Sequence, residues 1–496
     1  MPEYSTINLH PSSHPISNLT THTYDVICIG SGWAGRVTAA RVVKAGLTAI
    51  IIENELVGGD CPFWACVPSK ALLRSNEALE AAKAVGGAKE RIIGDGVDVQ
   101  GLFKRRDQIT HGWDDGALLV PIVESSGAHL VRGTGTLVGV KKVEVKSWNG
   151  ETVELEAVHA VVLCTGSHPV MPDVPGLREA DPWFPRDATS ASKVPEHLVI
   201  LGAGAVGCEM ATAYSSFGAR VTLITTSKEI LPKIDPEAGK IVRERLSSRD
   251  VQFYLSTKVV RITREAANRV KIELSNGEVI SASEILVAAG RKASTSGLGL
   301  DIFGLSTDGS PIPVDESLCV ETVPNRWLYA AGDINGRSPL THMCKYHGRI
   351  VSQAIVAAVK GTPKPHKDWD NASAIADHAA IPQVVFTDPI VASVGLTRTT
   401  AEAANKSVRE ITAPVKTVGA MIHADGYQDG WAEWIVESTS HKLLGATFVG
   451  NDVTDLLHAS TVAIIGGMRL EQLAHAVPSF PTLSEVYLNL LEAAGF

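Results

Sequence analysis

Two cysteines stand five positions apart in the segment that runs from Gly58 to Lys70. The residues after Cys66 combine strong helix formers with apolar residues at helical spacing, so a helix is predicted to begin near Cys66. Backbone N–H groups and the dipole at such a helix end stabilise a thiolate. Cys61 and Cys66 are therefore predicted to form a redox-active pair, with an inert structural pair as the alternative.

A structural zinc site is a further alternative for two neighbouring cysteines. Such a site would need a second pair of ligands at metal-binding spacing. No metal site is predicted, because the other cysteines are scattered singly along the chain. They are Cys28, Cys164, Cys208, Cys319 and Cys344.

A glycine motif of the form G-x-G-x-x-G occurs twice, each time between a predicted strand and a predicted helix. Glycines at these positions close the turn and let the backbone approach a pyrophosphate at the start of the helix. One match would be weak, but two matches in this context predict two bound dinucleotides. The glycines are Gly30, Gly32 and Gly35 in the first motif and Gly202, Gly204 and Gly207 in the second.

The strand that follows each motif ends differently. The first one, residues 47–52, ends at Glu53, where a carboxylate can accept hydrogen bonds from a ribose. We predict that Glu53 binds the adenosine ribose, and a solvent-exposed strand-end glutamate is the alternative. The second one, residues 221–224, is followed by Thr-Thr-Ser-Lys and has no acid at its end. Lys228 in this segment favours NADPH as the coenzyme, and NADH is the alternative.

Three further apolar runs end in glycine turns, at residues 161–166, 285–290 and 327–333. They place Thr165, Gly166, Gly290 and Asp333 at strand ends, as candidate cofactor ligands. The chain is thus predicted to leave one nucleotide-binding domain, build a second one and return to the first. From about residue 371 the pattern changes to that of a third, α+β domain.

Length and charge agree with a multidomain enzyme. A chain of 496 residues exceeds the roughly 250–300 residues of a single core. A net charge of −9 predicts neither a nucleic-acid nor a membrane partner. Residues 1–23 lack a hydrophobic signal core and are predicted to be a flexible tail, so a cytoplasmic location is expected.

These residues together resemble the flavin-dependent pyridine nucleotide-disulfide oxidoreductases, the family of glutathione reductase, dihydrolipoamide dehydrogenase and mercuric reductase. The resemblance rests on the cysteine motif, both glycine motifs, the Tyr329–Asp333 block with Leu340-Thr341-His342, and residues 381–389. It implies two Rossmann-like α/β domains and a dimerisation domain that forms a homodimer. The predicted boundaries are 24–169 with 300–370 for FAD, 170–299 for NAD(P) and 371–496 for dimerisation.

The resemblance also implies roles for single residues. Cys66 would be the charge-transfer thiol that faces the flavin, and Cys61 would be the interchange thiol that meets the substrate. Lys70 would lie by flavin N5, and Glu209 would pair with it near the nicotinamide. Asp333 would hold the ribityl or pyrophosphate region of FAD.

The C-terminal sequence departs from the family pattern. Disulfide reductases of the family carry a histidine before the proline of an H-P-T-x-x-E run, and it exchanges protons with the partner subunit's interchange thiol. Phe480 stands there in this chain. A phenyl ring cannot exchange a proton, a step typically worth about 10²–10⁴-fold in rate. Glu485 matches the acid that orients the histidine, and His475 could substitute only if residues 476–479 fold back.

The sequence therefore predicts a homodimeric FAD enzyme in which NAD(P)H, flavin and the Cys61–Cys66 disulfide exchange electrons. The active site would be completed by the partner's C-terminal domain. The substrate would be a small-molecule thiol, disulfide or electrophile that does not need the missing histidine. Alternatives are a quinone or dye reductase, with Phe480 lining the pocket, and a non-catalytic flavin-binding protein.

Overall fold

The structure is a computed structural model that describes residues 7–94, 96–361, 369–427 and 430–496. The chain divides into two compact units. The first takes in Met1–Pro68, Arg106–Pro169 and Arg291–His378, and the second takes in Ser69–Arg105, Val170–Gly290 and Ala379–Phe496.

The regular elements are numbered in chain order. The strands are β1 (Thr23–Ile29), β2 (Ala49–Glu53), β3 (His129–Arg132), β4 (Thr134–Gly139), β5 (Lys142–Lys146), β6 (Thr152–Leu163), β7 (Ser167–Pro169), β8 (His197–Leu201), β9 (Arg220–Ile224), β10 (Gln252–Tyr254), β11 (Val259–Ala266), β12 (Arg269–Leu274), β13 (Val279–Ala282), β14 (Glu284–Val287), β15 (Arg291–Ala293), β16 (Leu328–Ala330), β17 (Pro382–Val385), β18 (Ile390–Gly395), β19 (Val408–Pro414), β20 (Trp431–Glu437) and β21 (Leu443–Gly450). The helices are α1 (Trp33–Lys44), α2 (Asp60–Phe63), α3 (Cys66–Lys83), α4 (Val99–Ile109), α5 (Leu119–Ser125), α6 (Pro185–Ser190), α7 (Ala205–Ser216), α8 (Pro236–Ser247), α9 (Thr341–Val359), α10 (Ala376–Ala379), α11 (Arg398–Ala403), α12 (Val418–His423), α13 (Leu456–Ile465), α14 (Leu470–Leu473) and α15 (Val486–Ala494).

The first unit is built on a sheet with strand order β3-β2-β1-β6-β5-β4, and β16 also pairs with β6. The strands β3, β2, β1, β6 and β16 pair in parallel. Every residue of β2 is buried, as expected for a parallel strand that is covered on both faces. The first glycine motif forms the turn from β1 into α1, at the carboxyl edge of this sheet.

The second unit holds a parallel sheet of order β10-β9-β8-β14, and its turn from β8 into α7 carries the second glycine motif. An antiparallel sheet of order β11-β12-β13 belongs to the same part of the chain. The C-terminal part is an antiparallel sheet of order β17-β18-β21-β20-β19 with helices α13 and α15 against it. The predicted fold class, two Rossmann-like folds and an α+β C-terminal domain, is confirmed.

The first unit resumes earlier than the predicted residue 300. β15, Arg291–Ala293, pairs antiparallel with β7, Ser167–Pro169, so the chain rejoins this unit at Arg291. The pairing joins segments more than a hundred residues apart, and no local sequence pattern marks it. The other domain boundaries remain predictions.

Residues 7–22 lie against the first unit, although the sequence predicts a flexible tail over 1–23. Ile7 and Leu9 pack against the core, and the carbonyl oxygen of His14 accepts a hydrogen bond from the Arg132 N–H at 3.0 Å. The few apolar residues of this polar segment thus find partly buried positions. Residues 1–6 are outside the described residues.

None of the described helices is both long enough and apolar enough to cross a membrane.

A buried carboxylate lies in the C-terminal sheet. Glu433 of β20 is 3% exposed, and its Oε2 atom has no hydrogen-bond partner among the described residues. Burial, together with the negative charges of Asp235 and Glu410, raises the pKa of Glu433 to about 8. The folded chain therefore keeps a proton on Glu433 at neutral pH, whereas the unfolded chain, with an ordinary glutamate, releases it.

We expect Glu433 to make the protein less stable as the pH rises. A carboxyl whose pKa is raised by folding adds stability below its unfolded value, and this stability is lost as the pH rises through about 8. The melting temperature of the FAD-loaded Glu433→Gln variant should be measured from pH 5 to 9. Relative to the melting temperature of wild type, it should rise as the pH increases. Glu144→Gln, an exposed strand glutamate, serves as control and should follow wild type; parallel curves for Glu433→Gln would contradict the expectation.

Candidate active site

The first glycine motif forms a tight turn between β1 and α1. A Cβ at Gly30 would lie 2.4 Å from the carbonyl oxygen of Cys164, and a Cβ at Gly35 would lie 2.0 Å from the carbonyl oxygen of Gly30. By contrast, a Cβ at Gly32 would meet nothing within 4 Å. Gly30 and Gly35 thus permit close backbone packing, and Gly32 leaves space at the N-terminus of α1, where dinucleotide folds bind the pyrophosphate.

Glu53 lies beside this turn, at the end of β2. It is 8% exposed, its Oε2 accepts a hydrogen bond from the Ser31 N–H at 2.9 Å, and its Oε1 accepts one from the Glu55 N–H at 2.9 Å. These bonds fix the carboxylate and leave it lone pairs for further donors. Its position and orientation fit a group that accepts hydrogen bonds from a ribose.

The other predicted FAD ligands follow parallel strands of the same sheet. Thr165 and Gly166 come after β6, and the Thr165 hydroxyl donates a hydrogen bond to a backbone carbonyl at 2.8 Å. Asp333 comes after β16, where its carboxylate accepts hydrogen bonds from the Ser167 hydroxyl at 2.6 Å and the Cys344 thiol at 3.4 Å. Because the carboxyl ends of parallel strands share one edge, these residues converge with the first glycine motif, and the cradle fits FAD.

The second glycine motif repeats the first one closely. A Cβ at Gly202 would lie 2.4 Å from the Ala288 carbonyl oxygen, and a Cβ at Gly207 would lie 2.0 Å from that of Gly202, whereas Gly204 faces open space. Gly290 follows β14 with a φ of +120°. This turn therefore fits a second dinucleotide, again at the carboxyl edge of a parallel sheet.

Lys228 lies just beyond the end of β9. Its side chain is exposed, and it forms no ion pair within the described part of the chain. The neighbouring acid, Glu229, is already paired with Arg243 at 2.8 Å. A free cation is therefore available where the adenosine ribose of a dinucleotide lies.

Burial separates three of the other cysteines from the candidate pair. Cys28, Cys164 and Cys208 are buried, and this burial raises the pKa of each thiol, to about 12 for Cys28. Such thiols stay protonated and unreactive at neutral pH. Cys61 and Cys66 are half-buried.

The surroundings of the pair control its ionisation. Cys66 is the first residue of α3, and its sulfur lies 3.1 Å from the Thr341 hydroxyl oxygen. The interaction with Cys66, followed by burial, raises the pKa of Cys61, whereas Thr341 and Trp33 lower it. A second negative charge beside the first is unfavourable, so ionisation of Cys66 opposes that of Cys61.

The second unit holds an ion pair between a half-buried lysine and a buried glutamate. The Nζ of Lys70 lies 2.7 Å from Oε2 of Glu209, which is 5% exposed. Oε1 of Glu209 accepts a hydrogen bond from the Phe386 N–H at 3.0 Å, and Nζ of Lys70 lies 4.9 Å from the centre of the Phe386 ring. Both carboxylate oxygens are thus satisfied, which a buried charge requires.

The candidate residues of the C-terminal segment are Glu485, Phe480 and His475. Oε2 of Glu485 accepts a hydrogen bond from the Gly419 N–H at 3.2 Å, near the start of α12. Phe480 is 72% exposed. His475 is exposed, and its ring makes no hydrogen bond with any other described residue. Among the described residues, Glu485 therefore has no hydrogen bond to His475 or to any other imidazole.

Sequence reasoning missed Trp33, Arg36 and the hydroxyl of Thr341 as parts of the thiol environment. Trp33 stands at the fourth position of the first glycine motif, and a bulky aromatic side chain at such a tight turn was the available signal. Thr341 belongs to a recognised sequence block, but its contact with the sulfurs depends on the distant start of α9. No sequence pattern indicates that contact.

Comparison with known proteins identifies the family. The pyridine nucleotide-disulphide oxidoreductase family matches residues 24–358, and the dimerisation domain of the same family matches residues 381–491. The chain belongs to this family, and it is an FAD-dependent oxidoreductase that uses NAD(P)H.

Individual proteins resemble the chain along its length. Dihydrolipoyl dehydrogenase of Chlamydia muridarum is 30% identical over 470 residues, 94% of this chain and 95% of that protein. A mercuric reductase of Streptomyces lividans is 29% identical over 474 residues, with 94% and 95% covered. Among solved structures, the HOCl-induced flavoprotein disulfide reductase RclA of Escherichia coli (TM-score 0.79, 22% identity, 95% and 99% covered) and LpdA of Mycobacterium tuberculosis (0.78, 22%, 96% and 99%) share the fold.

Gly32 and Gly35 of the first motif should respond differently to replacement by alanine. In Gly32→Ala the new methyl group meets open space, so the apoprotein should melt within about 2 °C of wild type. It should nevertheless retain much less FAD, because the methyl group fills the pyrophosphate approach. In Gly35→Ala the methyl group meets a backbone oxygen, so the apoprotein itself should lose stability. Bound FAD per chain and apoprotein melting distinguish the two, and equal FAD retention in Gly32→Ala and wild type would refute the assignment.

Proposed function

We propose that this chain is a homodimeric flavoenzyme in which two electrons pass between NAD(P)H, FAD and the Cys61–Cys66 pair. The pair would act on a small-molecule disulfide, thiol or electrophile. The observation that carries the proposal is the position of the half-buried Cys66 as the first residue of α3, five residues after the half-buried Cys61, with the Thr341 hydroxyl oxygen 3.1 Å from the Cys66 sulfur. Bound FAD supplies a two-electron relay that NAD(P)H can reduce.

In this proposal Cys61 meets the substrate and Cys66 lies next to the flavin. Attack of the Cys61 thiolate on a disulfide breaks the substrate S–S bond, releases one thiolate and forms a mixed disulfide. Attack of Cys66 on the Cys61 sulfur then releases the second thiolate and closes the Cys61–Cys66 disulfide. Two electrons from NAD(P)H restore the dithiol.

The ion pair of Lys70 and Glu209 is assigned to the flavin side of the reaction. A fixed ammonium stabilises negative charge that develops on a reduced ring system. Glu209 holds Lys70 in place, and the Phe386 N–H in turn holds Glu209. Glu485 is assigned a structural role at α12, since it has no histidine to orient.

Exposed apolar residues of the C-terminal domain support the proposed homodimer. Met421, Ile422, Val477 and Phe480 are each at least two-thirds exposed, and association with a second copy would remove apolar surface of this kind from water. The match to a dimerisation domain points the same way. A cytoplasmic location remains a prediction.

A second candidate function is the reduction of quinones or dyes, with hydride passing from the flavin directly to an aromatic acceptor. The exposed Phe480 at the position of the family's histidine favours it, because an aromatic ring can stack on such an acceptor. The cysteines would then be secondary.

An anaerobic titration of the FAD-loaded protein with NADPH and then NADH tests the primary proposal. Wild type should develop a long-wavelength thiolate-to-flavin absorption band that is absent in Cys66→Ser. Cys61→Ser should lose turnover with thiol-reactive disulfides, and Cys319→Ala is the control for loss of a thiol. If the flavin of wild type bleaches without the thiolate-to-flavin band, or if Cys61→Ser keeps full activity, quinone reduction becomes the better supported function. No bleaching at all would leave a non-catalytic flavin-binding protein.

Coenzyme choice gives a separate prediction. If Lys228 binds the 2′-phosphate, Lys228→Gln should raise KM for NADPH roughly tenfold and leave KM for NADH unchanged, since a charge-assisted hydrogen bond is lost. Lys193→Gln is the matched control, because Lys193 precedes the amino end of β8, away from the glycine turn. Equal changes in KM for NADPH and for NADH would show that Lys228 does not bind the 2′-phosphate.

A further inference from the structure

A buried histidine lies behind the turn that carries Asp333. His347 of α9 is 0% exposed. Its Nδ1 accepts a hydrogen bond from the Gly332 N–H at 3.1 Å, and the side-chain amide nitrogen of Asn335 lies 3.4 Å from the same ring nitrogen. Its Nε2 lies 3.0 Å from Oδ1 of Asp377, whose side chain is also buried. Both ring nitrogens are thus bonded within the protein.

These contacts place the proton of the neutral ring. Nδ1 needs a free lone pair to accept from a backbone N–H, so the proton lies on Nε2, which donates to the Asp377 carboxylate. Nη1 of Arg337 lies 3.6 Å from the other oxygen of Asp377 and balances its negative charge. Asp377 therefore holds the ring of His347 in the form that accepts from Gly332.

Gly332 is a position where the backbone needs an acceptor from another element. It is buried, its φ is +83°, and it directly precedes the short 3-10 helix Asp333–Asn335. A buried backbone N–H without an acceptor is unfavourable. His347 supplies that acceptor, and the orientation of the turn at Asp333 therefore depends on it.

The same face of α9 contacts the carboxylate of Asp333. Cys344 lies three residues before His347, so the two side chains are neighbours on the helix surface. The Cys344 thiol donates to Oδ1 of Asp333 at 3.4 Å, and the Ser167 hydroxyl donates to Oδ2 at 2.6 Å. The helix thus contacts both the backbone and the side chain of one turn.

α9 also packs closely against α1, the helix of the first glycine motif. A Cβ at Gly348 would lie 2.8 Å from the carbonyl oxygen of Ala34 and 2.9 Å from Cβ of Val37. Closely packed backbones of this kind leave little room for relative movement. Through His347 and Gly348, the Asp333 turn is therefore held in a fixed position relative to the glycine turn.

We propose that His347 is a positioning residue for FAD: it holds the Gly332 N–H, and is itself held by Asp377, so that Asp333 keeps the orientation that cofactor binding requires. The inference deepens the proposed function, since it rests on the assignment of Asp333 to FAD. It is independent of the acceptor and of the cysteines. No covalent or redox step is involved.

The first test needs no change at position 347. Hydrogen exchange of the Gly332 amide is measured in the FAD-loaded wild-type protein by mass spectrometry with single-residue resolution. A bond to a buried ring nitrogen should slow this exchange about a hundredfold or more relative to an unstructured peptide. Exchange at the unprotected rate would overturn the proposal, and this result stands even if variants of His347 do not fold.

Two replacements of His347 keep different parts of the ring. The Oδ1 atom of asparagine is as many bonds from the backbone as Nδ1, so His347→Asn keeps an acceptor for Gly332. His347→Gln instead extends to Asp377 and leaves the Gly332 N–H unpaired. We expect FAD to dissociate about tenfold faster from His347→Gln than from His347→Asn. Equal rates, or faster release from His347→Asn, would overturn the proposal.

His197→Gln is the matched control for loss of a buried histidine. The ring of His197 is bonded at 2.9 Å to the Ser281 carbonyl oxygen and at 2.9 Å to the Thr222 hydroxyl, in the second unit. Its replacement should lower the melting temperature and leave FAD dissociation at the wild-type rate. Equal acceleration in His197→Gln and His347→Gln would reveal a general loss of stability and overturn the proposal.

A double-variant cycle shows whether His347 acts through Asp333. Asp333→Ala should release FAD at least as fast as His347→Gln, and the double variant should be little faster than Asp333→Ala. Fully additive effects would overturn the proposal, and wild-type release from Asp333→Ala would overturn the assignment of Asp333 with it. FAD dissociation needs neither NADPH nor turnover, so a bystander role of the cysteines would leave these results unchanged.

Discussion

The close backbone approach at the two glycine turns is the constraint on which both dinucleotide sites depend. In each turn the last glycine of the motif lies against the carbonyl oxygen of the first, and a Cβ would come within 2.0 Å of that oxygen. This contact lets the helix start directly after its strand in each motif. The contact between Gly35 and Gly30 therefore fixes where α1 begins, and with it the positions of Ser31, Trp33 and Arg36.

Sequence reasoning predicted those parts of the molecule that local patterns encode. Both strand-turn-helix units, the helix start near Cys66 and the α+β character of the C-terminal part follow from periodicity and glycine placement. The return of the chain at Arg291 was missed because it rests on pairing of β15 with β7. Docking of residues 7–22 was missed because a few apolar residues in a polar segment carry no pattern.

The candidate site likewise contains residues that local sequence patterns predict and contacts that they do not predict. Cys61 and Cys66 were predicted because their spacing is local, and Glu53 because its distance from the glycines is fixed by one strand and one helix. The contact of Thr341 with the Cys66 sulfur brings together two residues that are far apart in the sequence. Side-chain direction at a helix start decides such contacts, and sequence spacing alone does not determine it.

In the proposed function, the residue at position 480 limits the substrates that suit the Cys61–Cys66 pair. The phenyl ring of Phe480 cannot return a proton to a leaving group. The pair would supply the attacking thiolate, but it would have no imidazole to assist departure of a poorly acidic thiol. A disulfide that leaves as an already stable thiolate needs no such assistance, nor does an electrophile that adds to sulfur without losing a group. A phenylalanine in place of the family's histidine is thus compatible with nucleophilic attack, and it narrows the range of acceptors.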